Sequence, residues 1–332
     1  MLKKSKTKFS FNNTLIIENT AFKPGDSGVV KLNAGKIPSG SKLDIFAHIF
    51  RSTKEGPSLL IIGGIHGDEI NGIEIITSML ESKIFDSLKI GTVIAIPLTN
   101  VFGFNNLSRD MPDGKDVNRS FPGSTYGSLA SRIAGTISKN ILPFVDYAID
   151  LHTGGAERYN YPQTRYTKSS DVSKNMAEVF AAPFTIQQPL INHSFRKTAN
   201  ELGIHVLLYE GGEAVRVNQK AIIIGIEGIK RVMISLGMLE ILPTITNNNP
   251  VSINTSKWIR AAYAGIFIWI KRSGDKIIQG ESIGTIKDPY GLKTYPVISK
   301  YNGYIIGHNN AAVVNQGDPL FHIGLTDEKT GF

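Results

Sequence analysis

The stretch "SLLIIGGIHGDEINGIE", residues 58–74, decides the fold. Its first half is the kind of apolar run that makes a buried strand, bounded by two glycines. His66 and Glu69 follow directly. In an open α/β sheet ligands bind beyond the carboxyl ends of the strands, so a histidine and a carboxylate at this turn mark a candidate site.

Three more β-rich runs follow, "TVIAIP" (92–97), "VDYAIDL" (145–151) and "IHVLLYE" (204–210). Between them apolar residues recur near every 3.6 positions: Ile73, Ile76 and Met79; Leu129, Ile133, Ile137 and Ile141; Val172, Met176, Val179 and Phe180. Strands alternating with helices predict an α/β fold, a mixed and largely parallel sheet flanked by helices. A last long helix is expected from Arg216 to Leu236, stopped by Gly237. Residues 28–50 read as a hairpin at the sheet edge. The texture then changes at the polar linker "TITNNNP" (244–250). From residue 251 short β runs alternate with glycine turns, predicting a C-terminal all-β domain, a small sandwich or barrel, over 251–332 beside a catalytic domain over 1–248. No internal repeat is apparent.

The chain has 332 residues, 41% of them hydrophobic, enough for a large domain and a smaller one. No leader-like or membrane-spanning apolar stretch is visible, so neither secretion nor membrane insertion is expected. With no cysteine there is no disulfide framework, which fits the cytoplasm, and any metal must be held by histidine and carboxylate. The net charge of +8 is spread without a basic run or a nucleic-acid-binding motif, so it reads as a solvated surface or a cleft that attracts anions.

The predicted strands lead into His66 and Glu69, into His152 within "AIDLHTGG", and into Glu210 within "LLYEGG". One histidine after a strand is usually a capping or packing residue. Two imidazoles and a carboxylate on the same side of one sheet are instead the protein ligand set of a catalytic zinc. Glu210 then serves as the base for the metal's water. Asp150, two residues before His152 and on the same strand face, is read either as a partner for a ligand or as a structural carboxylate. The histidines at 48, 193, 205, 308 and 322 are read as ordinary packing or surface residues. In the polar loop 108–123, Arg109 and Arg119 are the candidates to touch a substrate, since a guanidinium holds a carboxylate or stabilises an oxyanion.

"GGIHGDE", "DVNRSFPG", "DLHTGG" and "LLYEGG", in this order, resemble the succinylglutamate desuccinylase/aspartoacylase family of zinc-dependent deacylases, relatives of the zinc carboxypeptidases. The C-terminal runs "AAYAGIFIWIKRSGDKIIQGESIGTI" and "YNGYIIGHNNAAVVNQGDPLFHIG" are similar to that family's appended β domain. The resemblance implies one zinc ion (Zn2+) per chain on His66, Glu69 and His152, with Glu210 as general acid/base. It further implies that Asn118 and Arg119 grip the substrate carboxylate, that Arg109 polarises the scissile carbonyl, and that Arg196 helps to bind substrate. The expected partner is a small anionic N-acyl amino acid, not nucleic acid or membrane, with a homo-oligomer left open. Arg158, Asn160 and Arg165, in "ERYNYPQTR" (157–165), are expected at the pocket without individual roles.

Two other functions fit parts of the chain. A zinc carboxypeptidase would use the same ligands and carboxylate clamp on a peptide, but needs an open groove. A biotinyl or lipoyl carrier would present a lysine in a characteristic triplet at a hairpin tip, and "IKDPYGLKTYP" offers Lys287 and Lys293 without it.

Overall fold

The computed structural model describes residues 14–240 and 249–326. A short ribbon, β1 (Leu15–Ile17) and β2 (Thr20–Phe22), precedes the hairpin of β3 (Ser27–Lys36) and β4 (Lys42–Arg51). The α/β region comprises β5 (Ser58–Ile62), α1 (Ile70–Glu81), β6 (Thr92–Ile96), α2 (Val101–Asn105), α3 (Leu129–Asn140), β7 (Tyr147–Gly154), β8 (Arg158–Tyr166), α4 (Asp171–Phe180), β9 (Phe184–Gln187), α5 (Phe195–Glu201), β10 (His205–Glu213) and α6 (Gln219–Ser235). Among the described residues beyond Pro250 all regular structure is β: β11 (Val251–Ile253), β12 (Thr255–Arg260), β13 (Gly265–Trp269), β14 (Lys276–Ile277), β15 (Ser282–Lys287), β16 (Thr294–Ile298), β17 (Gly303–Asn309), β18 (Val313–Val314) and β19 (Pro319–Leu325).

The principal sheet runs β12-β19-β17-β8-β10-β7-β5-β6-β4-β3. Its centre, β10-β7-β5-β6, is parallel, and these are the four strands read from sequence. Both flanks are antiparallel, with the hairpin at one edge. Strand β5 shows why the apolar run had to be central: all five of its residues are buried. Leu59 and Ile61 pack with α1, α4 and α6 on one face, and Leu60 and Ile62 with α3 and α5 on the other. Each such side chain contributes about 1.5–3 kcal/mol on burial.

The last helix begins at Gln219 rather than Arg216, because the Asn218 side chain caps it by accepting from Ala221 N at 2.9 Å. It ends as expected, with Gly237 at φ 75° just beyond. Residues 244–248 of the polar linker lie outside the described residues. After it, β11 pairs with β9, and β12, β19 and β17 extend the principal sheet past β8. The four-stranded sheet β16-β15-β13-β18 packs over them around Phe267, Ile286, Ile305 and Phe321. No described helix is long and apolar enough to cross a membrane.

Candidate active site

The turn between β5 and α1 carries His66 and Glu69, with Glu69 at the N-cap of α1, where the helix dipole favours a negative charge. The turn is pressed against the middle of α2: a Cβ on Gly67 would lie 2.0 Å from Gly103 C and Phe104 N, so only glycine fits. His152 comes from β7, which continues three residues further than its apolar run suggests. Because β7 neighbours β5 in parallel, these residues meet at the carboxyl end of the sheet.

All three are buried, and their ligand atoms lie within 4.8 Å of one another. Glu69 Oε1 is 2.7 Å from His66 Nδ1, and Oε2 is 2.8 Å from His152 Nδ1. The two Nδ1 atoms face each other at 3.3 Å. Two imidazole nitrogens bound to one tetrahedral ion at zinc-like distances stand about 3.3 Å apart, so the donor set fits a metal ion. The far nitrogens face carboxylates: His66 Nε2 is 3.3 Å from Asp116 Oδ1, and His152 Nε2 is 3.0 Å from Asp150 Oδ2. Such partners fix ring orientation and tautomer in metal sites. Burial alone would raise Glu69, but the facing imidazoles outweigh it and hold Glu69 well below the usual carboxylate range. Burial alone would lower His152, yet Asp150 and Glu69 hold it well above the usual imidazole value.

The cluster opens into a cleft of about 450 Å³ that also holds Glu210, Arg109, Asn118, Arg119 and Arg196. Every site residue singled out in the sequence therefore meets in one place. Glu210, on β10, is buried, and each carboxylate oxygen has one partner from β8: Asn160 Nδ2 at 2.8 Å and Arg165 NH1 at 2.9 Å. Arg109 donates to Asp116 Oδ2 from Nε at 3.2 Å and NH2 at 2.8 Å. Its NH1 lies 3.4 Å from Glu69 Oε1, at the rim of the ligand cluster. Asn118 accepts from Phe195 N at 2.8 Å, which leaves its amide NH2 for the cleft. Arg119 is exposed and donates to Asn118 O at 2.7 Å. Arg196 is buried, donates from NH2 to Pro189 O at 2.6 Å, and its NH1 has no partner among the described residues. Burial, with Arg165 nearby, lowers its pKa to about 10.

Four contributors are not assigned from sequence. Asp116 is the hub that joins His66, Arg109 and the backbone N of Asn118, at 2.6 Å. Its signal is local, an aspartate capping the short turn Val117–Arg119. Asn160 and Arg165 lie at the pocket as expected, but their role has no signal, because β8 is not recognisable as a strand. His322 is not an ordinary surface residue: it reaches the cleft from β19, stacked on Trp258 of β12 at 4.4 Å. Of the remaining histidines, His48, His193 and His205 do not line the cleft, and His308 lies behind it.

A family model, the succinylglutamate desuccinylase/aspartoacylase catalytic domain, matches residues 55–236, more than half of the chain. The chain is 26% identical over 290 residues to N-alpha-acetyl-L-2,4-diaminobutyric acid deacetylase of Halomonas elongata, covering 83% of this chain and 84% of that protein. Its fold is similar to that of a succinylglutamate desuccinylase/aspartoacylase from Rhodobacter sphaeroides, at TM-score 0.80 and 24% identity over 90% of this chain and 94% of that one. It is equally similar to the product-bound ectoine utilization protein EutE (DoeB) from Ruegeria pomeroyi, at TM-score 0.81 and 21% identity over 92% of this chain and 97% of that one. With the ordered motifs, the His-Glu-His cluster and a model match across the α/β region, the chain belongs to the succinylglutamate desuccinylase/aspartoacylase family.

Proposed function

We propose that the protein is a zinc-dependent amidohydrolase that removes a small acyl group, acetyl or succinyl, from an N-acyl amino acid. The observation that carries this reading is the buried His66-Glu69-His152 cluster at the head of a cleft shared by Glu210 and several arginines. A zinc ion held there would polarise the scissile carbonyl and lower the pKa of a water to about 7. Asp116 and Asp150, facing the Nε2 atoms of His66 and His152, favour the protons there, which turns both Nδ1 atoms to the ligand side. Glu210, held at both oxygens, takes the proton of the attacking water and returns it to the leaving amine. Arg109, beside the cluster, stabilises charge on the carbonyl oxygen. Asn118 and Arg119 grip the substrate carboxylate. The unpartnered NH1 of Arg196 is a buried donor that an anionic group on the substrate would satisfy.

The expected substrate is small and anionic. Trp258 and His322 close one side of the cleft from the C-terminal β region, which supports a small acyl amino acid over a peptide lying in an open groove. The named Halomonas relative supports acetyl as the acyl group. The test is amine release from N-acetyl and N-succinyl amino acids, N-acetyl-2,4-diaminobutyrate among them, against unblocked dipeptides. The reading expects kcat/KM to be highest on one acylated amino acid. Faster release of a C-terminal residue from dipeptides would overturn it in favour of a carboxypeptidase.

A further inference from the structure

A second cavity, of about 480 Å³, lies behind β8 and shares no lining residue with the cleft. Successive residues of a strand point to opposite faces. Asn160 faces Glu210, whereas Tyr159 and Tyr161 turn the other way and wall this cavity. Trp269, at the end of β13, supplies a third aromatic wall, so the space lies between the α/β region and the C-terminal β layer. Its size falls within the range of small-molecule sites, which favour such junctions.

The polar lining carries two cations, Lys220 and Arg272, and one carboxylate, Asp275, which accepts from the backbone N of Arg272 at 2.9 Å. Lys220 Nζ donates to Tyr161 OH at 2.6 Å and lies 4.5 Å over that ring, so the aromatic wall already carries a cation and a second would be repelled. Arg272 is exposed at the rim. His308 is buried, and its Nδ1 accepts from the backbone N of Ser273 at 3.2 Å and from Ser273 Oγ at 2.6 Å. A nitrogen accepting a backbone N–H cannot carry a proton, so the imidazole is neutral and its Nε2–H is the donor, engaged with the Asn310 side chain. Burial keeps His308 neutral by lowering its pKa to about 4.

His308 packs its ring on Tyr159 at 5.3 Å and on Trp269 at 5.2 Å, and completes the wall between them. We infer that this cavity is a second ligand site, for a planar ring bearing one anionic group, with the ring on the exposed face of Trp269 and the anion at Lys220 and Arg272. The shared chemistry is that of a nucleoside monophosphate or an aromatic carboxylate. The inference does not depend on the reaction proposed for the cleft.

Calorimetric titration of the full chain with adenosine 5′-monophosphate and with indole-3-carboxylate tests it, with adenosine and inorganic phosphate as probes lacking one half of the ligand. The expected result is saturable one-to-one binding of at least one ringed anion, and the tighter of the two names the source. Adenosine and phosphate should each bind at least about tenfold more weakly than the ringed anion, the scale of one lost stacking or charged contact. Trp269→Ala and Arg272→Gln, both at exposed positions, should each weaken it by a similar factor, while Arg119→Gln in the cleft should not. The inference is overturned if neither ringed anion saturates. It is also overturned if binding survives Trp269→Ala or Arg272→Gln undiminished, or is lost in Arg119→Gln, which would place the anion in the cleft.

Discussion

Arg196 and Glu210 carry the sharpest expectations at the scale of single residues. A buried guanidinium donor without a partner costs roughly 1–3 kcal/mol, and an anionic substrate group removes that cost on binding. Arg196→Gln should therefore raise KM by about tenfold or more with a smaller change in kcat, as steady-state kinetics would report. Asn160 and Arg165 fix the carboxylate of Glu210. Arg165→Gln should lower kcat by about ten- to a hundredfold while metal content stays at the wild-type level, because the base is displaced and the ligands are not. Loss of metal in that variant would show that Arg165 supports the ligand cluster instead.

At the scale of elements, the β5–α1 turn is the part that tolerates least change. A Cβ on Gly67 meets the backbone of Gly103 and Phe104, not a side chain that could swing aside. Gly67→Ala should destabilise the protein by about 1–3 kcal/mol in denaturant titration and weaken metal retention, since His66 and Glu69 flank the displaced residue. The elements that sequence reveals are those whose signal is burial or period, such as β5, β6, α1, α3 and α4. Strand β8 is hidden because "RYNYPQTRY" is polar and contains Pro162, which argues against an interior strand. The structure resolves this: β8 pairs with β17 through Arg158–Asn160 and with β9 from Gln163 onward, and Pro162 sits at the changeover, where no ladder hydrogen bond is required of it. With β8 hidden, Asn160 and Arg165 are legible as pocket residues but not as the partners of Glu210. The ligands are legible because each follows an apolar run, whereas Arg196 is indicated by family resemblance alone, since α5 has only 7 residues.

At the scale of the whole molecule, two buried histidines tie the C-terminal β region to acid sensitivity. His308 is lowered to about 4 by burial against weaker opposing effects of Asn310 and Asp275, and His322 to about 3 by burial and by Arg165. The unfolded chain takes up protons at both below the ordinary value of 6.5, while the folded chain does not until pH 4 or lower. Stability from these groups is thus fully present above pH 6.5 and falls as pH drops below it, by on the order of 3 kcal/mol per histidine at pH 4. Thermal melts between pH 7 and 4.5 should show this slope, and His308→Gln should flatten it.

The central claim is that the cluster at the head of the cleft is a metal centre served by Glu210 as its base. It is tested most directly by measuring bound zinc and amine release together, on wild type, Glu210→Gln and His152→Ala. The account predicts one zinc per chain and turnover in the wild type, one zinc with turnover lowered by about a hundredfold or more in Glu210→Gln, and loss of both in His152→Ala. Full turnover in either variant, or turnover by a wild-type protein stripped of metal, would contradict it.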